Sequence, residues 1–279
     1  MEPLTAGAEG ARSPPHKGGH LGTNMIRGLY SAATGMLAQQ AVQDALASNL
    51  ANINTTGFKQ DVPTFRALYD MALNRYGGID GAAAYVGDLG LGSTFDRTVT
   101  DFSPGSLTPT QNPLDLALVG DGFFTVQTPA GERYTRAGDF HIEPVPSPRG
   151  AQPVSYLVDD QGRRVLGTKG PIDTGSAQNV VVTEQGDVLV NGSVVDRLKI
   201  VTAPPSQVRK EGGNLFSIQG TPVAASPKVR SGFLEQSNVS AVGAMVKMIA
   251  VQRAYEAAQR AVTSQDDELN KVINEAARV

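Results

Sequence analysis

Residues 241–279 read AVGAMVKMIAVQRAYEAAQRAVTSQDDELNKVINEAARV, and the spacing within this stretch decides the fold. Steps of seven from Ala241 pick out Met248, Tyr255, Val262, Leu269 and Ala276, and three residues further on lie Ala244, Val251, Ala258, Gln265, Val272 and Val279. Eleven of these twelve positions are apolar, a stripe that packs one helix against another in coiled-coil fashion. Lys247, Arg253, Glu256, Arg260, Asp266, Asp267 and Glu268 take the outer faces. A helix from Ser240 to Ala276 is about 55 Å long at 1.5 Å per residue, so it needs a partner along its length. The stripe fits a helical hairpin within the chain and equally an assembly of several chains.

A partner helix lies at the other end. Ile26, Leu29, Ala32, Met36, Leu46, Leu50 and Ile53 recur at helical spacing, interrupted by Gln39 and Gln43. Gly28 and Gly35 weaken such a helix by about 1 kcal/mol each relative to Ala, so packing must hold it. It ends at Asn52-Ile53-Asn54-Thr55-Thr56-Gly57, where Asn and Gly accept the left-handed conformation of a helix C-terminus. The prolines mark the same division: fourteen of the 17 lie between Pro63 and Pro227, and residues 25–57 and 228–279 have none.

Between the helices the pattern changes to period two. Val188-Leu189-Val190, the turn Asn191-Gly192, then Val194, Val195, Leu198 and Ile200 predict a hairpin with a type I′ turn. Leu114, Leu116 and Leu118 alternate with Asp115 and Ala117, and Gly120-Asp121-Gly122 turns the chain into Phe123, Phe124 and Val126. Weaker strands are expected over 134–142 and 154–158. Residues 70–110, with glycines at 77, 78, 81, 87, 90 and 92, read as an extended connector.

Composition narrows the chemistry. A net charge of −3 from 24 basic and 27 acidic residues supplies no broad positive field for nucleic acid. The absence of cysteine removes disulfides, thiol nucleophiles and thiolate zinc sites. No stretch approaches the roughly 18 to 20 apolar residues of a membrane span, and residues 1–24 lack the apolar region of a secretory signal. His16 and His20 are separated by two glycines that disfavour a helical metal site, and His141 reads as a surface or satisfied core residue. No metal or cofactor is expected. Glu132, Asp139, Asp159 and Asp160 supply carboxylates for a glycosidase-like reading, but their neighbouring glycines favour turns.

The blocks Met25-Ile26-Arg27-Gly28-Leu29-Tyr30-Ser31-Ala32-Ala33-Thr34-Gly35-Met36 and Ser48-Asn49-Leu50-Ala51-Asn52-Ile53-Asn54-Thr55-Thr56-Gly57-Phe58-Lys59 closely resemble the flagellar basal-body rod and hook proteins. The second carries the specific pattern N-L-A-N-x-x-T-x-G-[FY]-[KR]. Three further blocks agree in order: Asn112–Leu118 running into Gly120–Phe124 and Tyr134-Thr135-Arg136, then Gly232–Val239, then Met248-Ile249 with Gln252–Glu256. Together they cover about residues 25–275.

The resemblance implies an α+β subunit whose N- and C-terminal helices pair as a coiled-coil-like inner domain, with a hairpin- or barrel-like β-rich outer domain. The implied segments are a disordered leader or misassigned start (1–24), helix and signature loop (25–69), connector (70–110), outer domain (111–230) and C-terminal helix (231–279). It implies a structural, non-enzymatic axial subunit exported by the flagellar type III apparatus. Such subunits polymerise with themselves and other rod or hook subunits into a tube that transmits torque and encloses the export channel. Length and the 92–118 segment fit rod proteins of the FlgG and FlgF type, with a hook-type subunit or a wall-acting hydrolase as alternatives.

On this reading the helix seams are Leu29, Met36, Leu46, Leu50, Ile53, Met248, Val251, Tyr255, Val262, Leu269 and Val272. The signature loop contributes Asn49, Asn52, Asn54, Gly57, Phe58 and Lys59. Its asparagines either satisfy the helix end or contact adjacent subunits. Gln39, Gln43 and Gln265, on otherwise apolar seams, predict control of register.

Overall fold

A computed structural model of the chain describes residues 19–68, 70–76, 83–90, 92–145, 154–175 and 179–276. Helix α1 spans Gly19–Ala51 and helix α2 spans Ala241–Ala276, with strands between them. The fold is α+β. Of the expected leader, residues 1–18 lie outside the described residues, whereas 19–24 are helical rather than disordered. Once a helix is nucleated, each added residue gains one hydrogen bond, which carries α1 back past Met25.

The chain divides into two units, one formed by the described residues of 1–40, 65–95 and 252–279, the other by 41–64 and 96–251. In the first, the strands Asp70–Tyr76 and Ala83–Gly90 pair antiparallel, so this part of the expected connector is a ladder. Gln265 packs against Gly28 so closely that a Cβ there would overlap its amide. The Gln265 Oε1 is buried without a hydrogen-bond partner among the described residues.

In the second unit, the strands form an open path from Asp173–Gly175 through Val154–Val158, Arg164–Val165, Phe123–Thr128, Gly131–Thr135 and Leu215–Ile218 to Val208–Lys210. The barrel-like expectation is corrected: among the described residues this sheet does not close, and its two end strands pair on one side only. Phe123–Thr128 shows why its sequence runs apolar without alternation. Phe124 and Val126 enter the main core with Leu116, Phe140, Leu157 and Val165. Phe123, on the opposite face, joins a second cluster with Tyr134, Val208 and Phe216, against which Phe102 packs. Both faces are covered, and the intervening Thr125 hydroxyl donates to the Lys199 carbonyl at 2.8 Å.

The expected hairpin forms, with Val190 opposite Ser193 and Leu189 opposite Val194. Asn191 and Gly192 have φ of 50° and 83°, as a type I′ turn requires. Its second arm stops at Arg197, and Ile200 pairs instead with Phe124. The strand expected over 134–142 is likewise interrupted between Thr135 and His141, because Gly138 must lie against the Leu116 carbonyl where no Cβ fits.

Candidate functional site

The signature loop begins where α1 ends. The Asn52 side-chain amide donates to the Ser48 carbonyl at 2.9 Å, and the Thr55 hydroxyl donates to Asn52 Oδ1 at 3.3 Å. Asn49, 4% exposed, does something different. Its Nδ2 donates to the Asp61 carbonyl and its Oδ1 accepts the Asp61 N–H, both at 2.8 Å, mimicking one rung of a strand ladder. Gly57 turns the chain at φ of 64°, a conformation that favours glycine. Its N–H donates to the Glu235 carbonyl at 2.8 Å. The loop asparagines Asn49 and Asn52 thus meet backbone groups within the chain, while Asn54 is exposed.

Beyond Gly57 the loop enters the protein. Phe58 and Lys59 are 1% and 0% exposed. The Lys59 ammonium donates to Glu235 Oε1 at 2.6 Å and to the Ser103 carbonyl at 2.8 Å. The same Glu235 oxygen accepts the Gly105 N–H at 3.0 Å, and its other oxygen faces Arg136 Nη1 at 3.5 Å. Arg136 also donates to the Gly120 carbonyl at 2.9 Å. One carboxylate therefore holds two buried cations, and each has further oxygen partners. Burial pushes the Lys59 ammonium below its ordinary value, opposed by the hydrogen bond and charge of Glu235. Burial lowers Arg136 in the same way, again opposed by Glu235.

Two more residues complete the junction. Asn238 Oδ1 accepts the Gln60 N–H at 2.8 Å while its Nδ2 donates to the Asp101 carbonyl at 2.9 Å. Lys210 donates to the Lys59 carbonyl at 2.9 Å and to Asp61 at 2.8 Å, with its ammonium 3.7 Å from the centre of the Phe58 ring. Burial lowers the Lys210 ammonium, against the opposing Asp61. Sequence reasoning singled out Lys59 but gave no role to Glu235, Asn238, Arg136 or Lys210.

The helix seams are placed differently. On α2, Ala244 is buried, and Ala241, Met248, Val251, Tyr255, Ala258, Val262, Gln265 and Leu269 are half-buried, so the heptad stripe is the less exposed face of the helix. Val272 is 52% exposed, where the stripe runs out. On α1, Leu46 is buried, and Leu29, Met36 and Leu50 are half-buried, as is Ile53 just beyond it. Other apolar residues remain in solvent: Val242, Met245, Val246 and Ile249 are 73%, 51%, 61% and 56% exposed.

Of the carboxylates weighed for hydrolysis, Asp159 and Glu132 are engaged locally. Asp159 accepts the Gln161 and Arg163 N–H groups at 3.1 and 2.9 Å and pairs with the Arg163 side chain at 2.5 Å. Glu132 pairs with Lys199 at 2.7 Å. Asp139 is held above the ordinary carboxylate range by burial, and His141 is exposed. Among the described residues, no cluster of three or more metal-ligating side chains occurs and no helix is apolar enough to cross a membrane.

The two halves of the buried junction are also the segments that match family models. Residues 29–59 match the flagella basal body rod protein model, and 230–275 match the C-terminal model of the flagellar basal body rod FlgEFG proteins. Residues 117–190 match the D1 domain of the flagellar hook protein FlgE/F/G. The chain is 33% identical over 276 residues to the flagellar basal-body rod protein FlgG of Bacillus subtilis, covering 90% of this chain and 99% of that relative. The chain belongs to the flagellar basal-body rod protein family. It is also 34% identical over 254 residues to the rod protein FlgF of Salmonella typhimurium, covering 85% and 91% of the two chains. The flagellar hook-basal body complex protein FlhO of Bacillus subtilis is 28% identical over 282 residues, covering 91% of this chain and all of that relative. In this chain, the Lys59–Glu235 pair ties the N-terminal block to the C-terminal block across 176 residues of sequence.

Proposed function

We propose that this chain is a structural subunit of the flagellar basal-body rod, of the FlgG or FlgF type, located in the basal body. The observation that carries the reading is the full-length likeness to FlgG, at 33% identity over 90% of the chain. The exposed apolar side chains of α2 give it a physical basis, since a helix that leaves Val242, Met245, Val246 and Ile249 in water has surface to bury against other subunits. Head-to-tail contacts between identical copies that do not close into a ring generate helical assemblies.

The finer architecture belongs to the same proposal. Residues 25–69 and 231–279 supply an inner domain with α1 and α2 as a coiled-coil-like pair, and 111–230 supply an outer domain. The contact between Gly28, early in α1, and Gln265, late in α2, supports an antiparallel pair. The seam residues on both helices serve packing along that pair, while the signature loop fixes its junction with the strands. Torque passes through this junction, and the assembled tube encloses the export channel fed by the flagellar type III apparatus. The chain acts by assembling, not by catalysis.

Electron microscopy of isolated basal bodies carrying a tagged copy tests the reading. The expected result is label on the rod, with deletion of residues 240–279 blocking rod assembly. Peptidoglycan release by the purified protein, abolished by Asp139→Asn and Asp160→Asn, would overturn it in favour of the hydrolase.

A further inference from the structure

A cavity of about 690 Å3 opens beside the junction, lined by the end of α1, residues 97–102 and the turn at residues 205–213. Its volume lies within the roughly 300–1,000 Å3 of sites that hold an entire small ligand, enough for several side chains from one face of a helix. Phe58, Phe102 and Val208 supply its apolar lining, and Arg97, Arg209 and Lys210 its cations. Lys210 is committed to Asp61 at 2.8 Å. Among the described residues, Arg97 pairs only with its sequence neighbour Asp96, at 4.0 Å with both side chains exposed. Arg209 is exposed and makes no ion pair among the described residues. Two cations thus stand over an apolar floor without a committed counter-charge.

The complementary surface is present on the same chain. Asp266, Asp267 and Glu268 are exposed on α2 and make no ion pair among the described residues. One and two turns further along, Asn270 and Ile273 share a helical face with Asp266, and Ile273 is 61% exposed beside Val272 at 52%. This segment offers carboxylates and apolar side chains together, the chemistry that a basic rim over an aromatic floor accepts. Exposed ion pairs contribute little, but carboxylates carried toward that partly apolar wall act through a lower effective dielectric.

We propose that the cavity is a docking socket for residues 266–273 of α2 from a second copy of this chain. The inference rests on the reading of the protein as a rod subunit and names the surfaces by which one copy grips the next. Asp266 and Asp267 meet Arg97 and Arg209, and Ile273 lies over Val99 and Phe102, the first of these 42% exposed in the lining.

The absence of cysteine makes the test direct. Two differently tagged full-length chains, one carrying Ser206→Cys and the other Asn270→Cys, are co-expressed in flagellated cells, and isolated basal bodies are treated with a short bismaleimide. The expected product is a cross-linked species bearing both tags that requires both cysteines. It should be lost when Arg97→Glu and Arg209→Glu are added to the first chain, and recovered when Asp266→Lys and Asp267→Lys are added to the second. Circular dichroism of the purified variants separates loss of docking from loss of folding. Rods that contain the protein by electron microscopy but yield no two-tag product overturn the socket and leave the rod reading intact, as does a product indifferent to charge reversal. Absence of the protein from the rod brings down the rod reading, and the socket with it.

Discussion

The junction at residues 49–61 and the outward face of α2 solve opposite problems with the same chain. At the junction, two buried cations, a carboxylate and two asparagine amides find partners inside the molecule, and of their side-chain polar atoms only the Arg136 Nε is buried without one among the described residues. On α2, apolar side chains such as Val242 and Val246 remain more than half exposed. Burial of an apolar side chain stabilises by about 1.5–3 kcal/mol, so that face gains only when something covers it. The difference separates two sources of free energy: the junction is stabilised within one copy, whereas the helix face leaves apolar surface that another surface would have to cover.

The largest expected effect tests the first half of that contrast. Glu235→Ala leaves Lys59 and Arg136 buried without their common carboxylate, and removing one partner of a buried pair destabilises by about 3–5 kcal/mol. Urea denaturation of the purified monomer should show this loss. The double variant Lys59→Met/Glu235→Leu should lose less than the sum of the two single variants, because apolar replacement of a whole buried pair is often nearly neutral. Additive losses would mean that the two residues do not act as a pair.

Gly57→Ala comes next. Its φ of 64° costs about 1–2 kcal/mol for an L-residue, and the new Cβ would overlap the backbone of Arg136 and Ala137. The loss should therefore exceed the conformational cost alone in a thermal melt. An unchanged Tm would show that the loop is not pinned at Gly57.

Gln265→Leu probes the other region with a smaller effect. Removing an amide whose Oε1 is buried and unpaired among the described residues should raise helix stability by about 1 kcal/mol, while disturbing assembly by relaxing register against Gly28. A more stable monomer that also builds normal rods and swims normally would remove the register role.

The contrast was legible in the sequence to different depths. Period seven located α2, and its half-buried positions from Met248 to Leu269 follow that period residue by residue. Asn191-Gly192 fixed its hairpin because turn chemistry is local. The junction was half legible: the Asn49–Lys59 block stands out in the sequence, but its partners lie far along the chain, Arg136 reaching Glu235 across 99 residues and Asn238 reaching Gln60 across 178. Glu235 and Asn238 stand in the Gly232–Val239 block, where a lone glutamate after Phe233-Leu234 was the available signal for a buried acid. Lys210 carried none, since a lysine at the end of a short strand reads as solvated. The open sheet was missed because strand propensity says nothing about closure.

The smallest effect is a pair of opposite pH dependences within the second unit. The Ser103 N–H and the Gln60 amide hold the Asp101 carboxyl below its ordinary range, so its contribution to stability is present above the unfolded value of about 3.9 and is lost as pH falls through the folded value. Asp139 runs the other way. Burial raises its folded value, so whatever stability it lends is present below the unfolded value and lost as pH rises through the folded one. Asp101→Asn should therefore soften acid denaturation, whereas Asp139→Asn should stabilise the protein slightly at neutral pH, where the buried Oδ1 has no hydrogen-bond partner among the described residues. Stability measured across the acid range for both variants checks the signs. A loss at neutral pH in Asp139→Asn would mean that the charged carboxylate is needed in the folded chain, reopening the question of what that acid does.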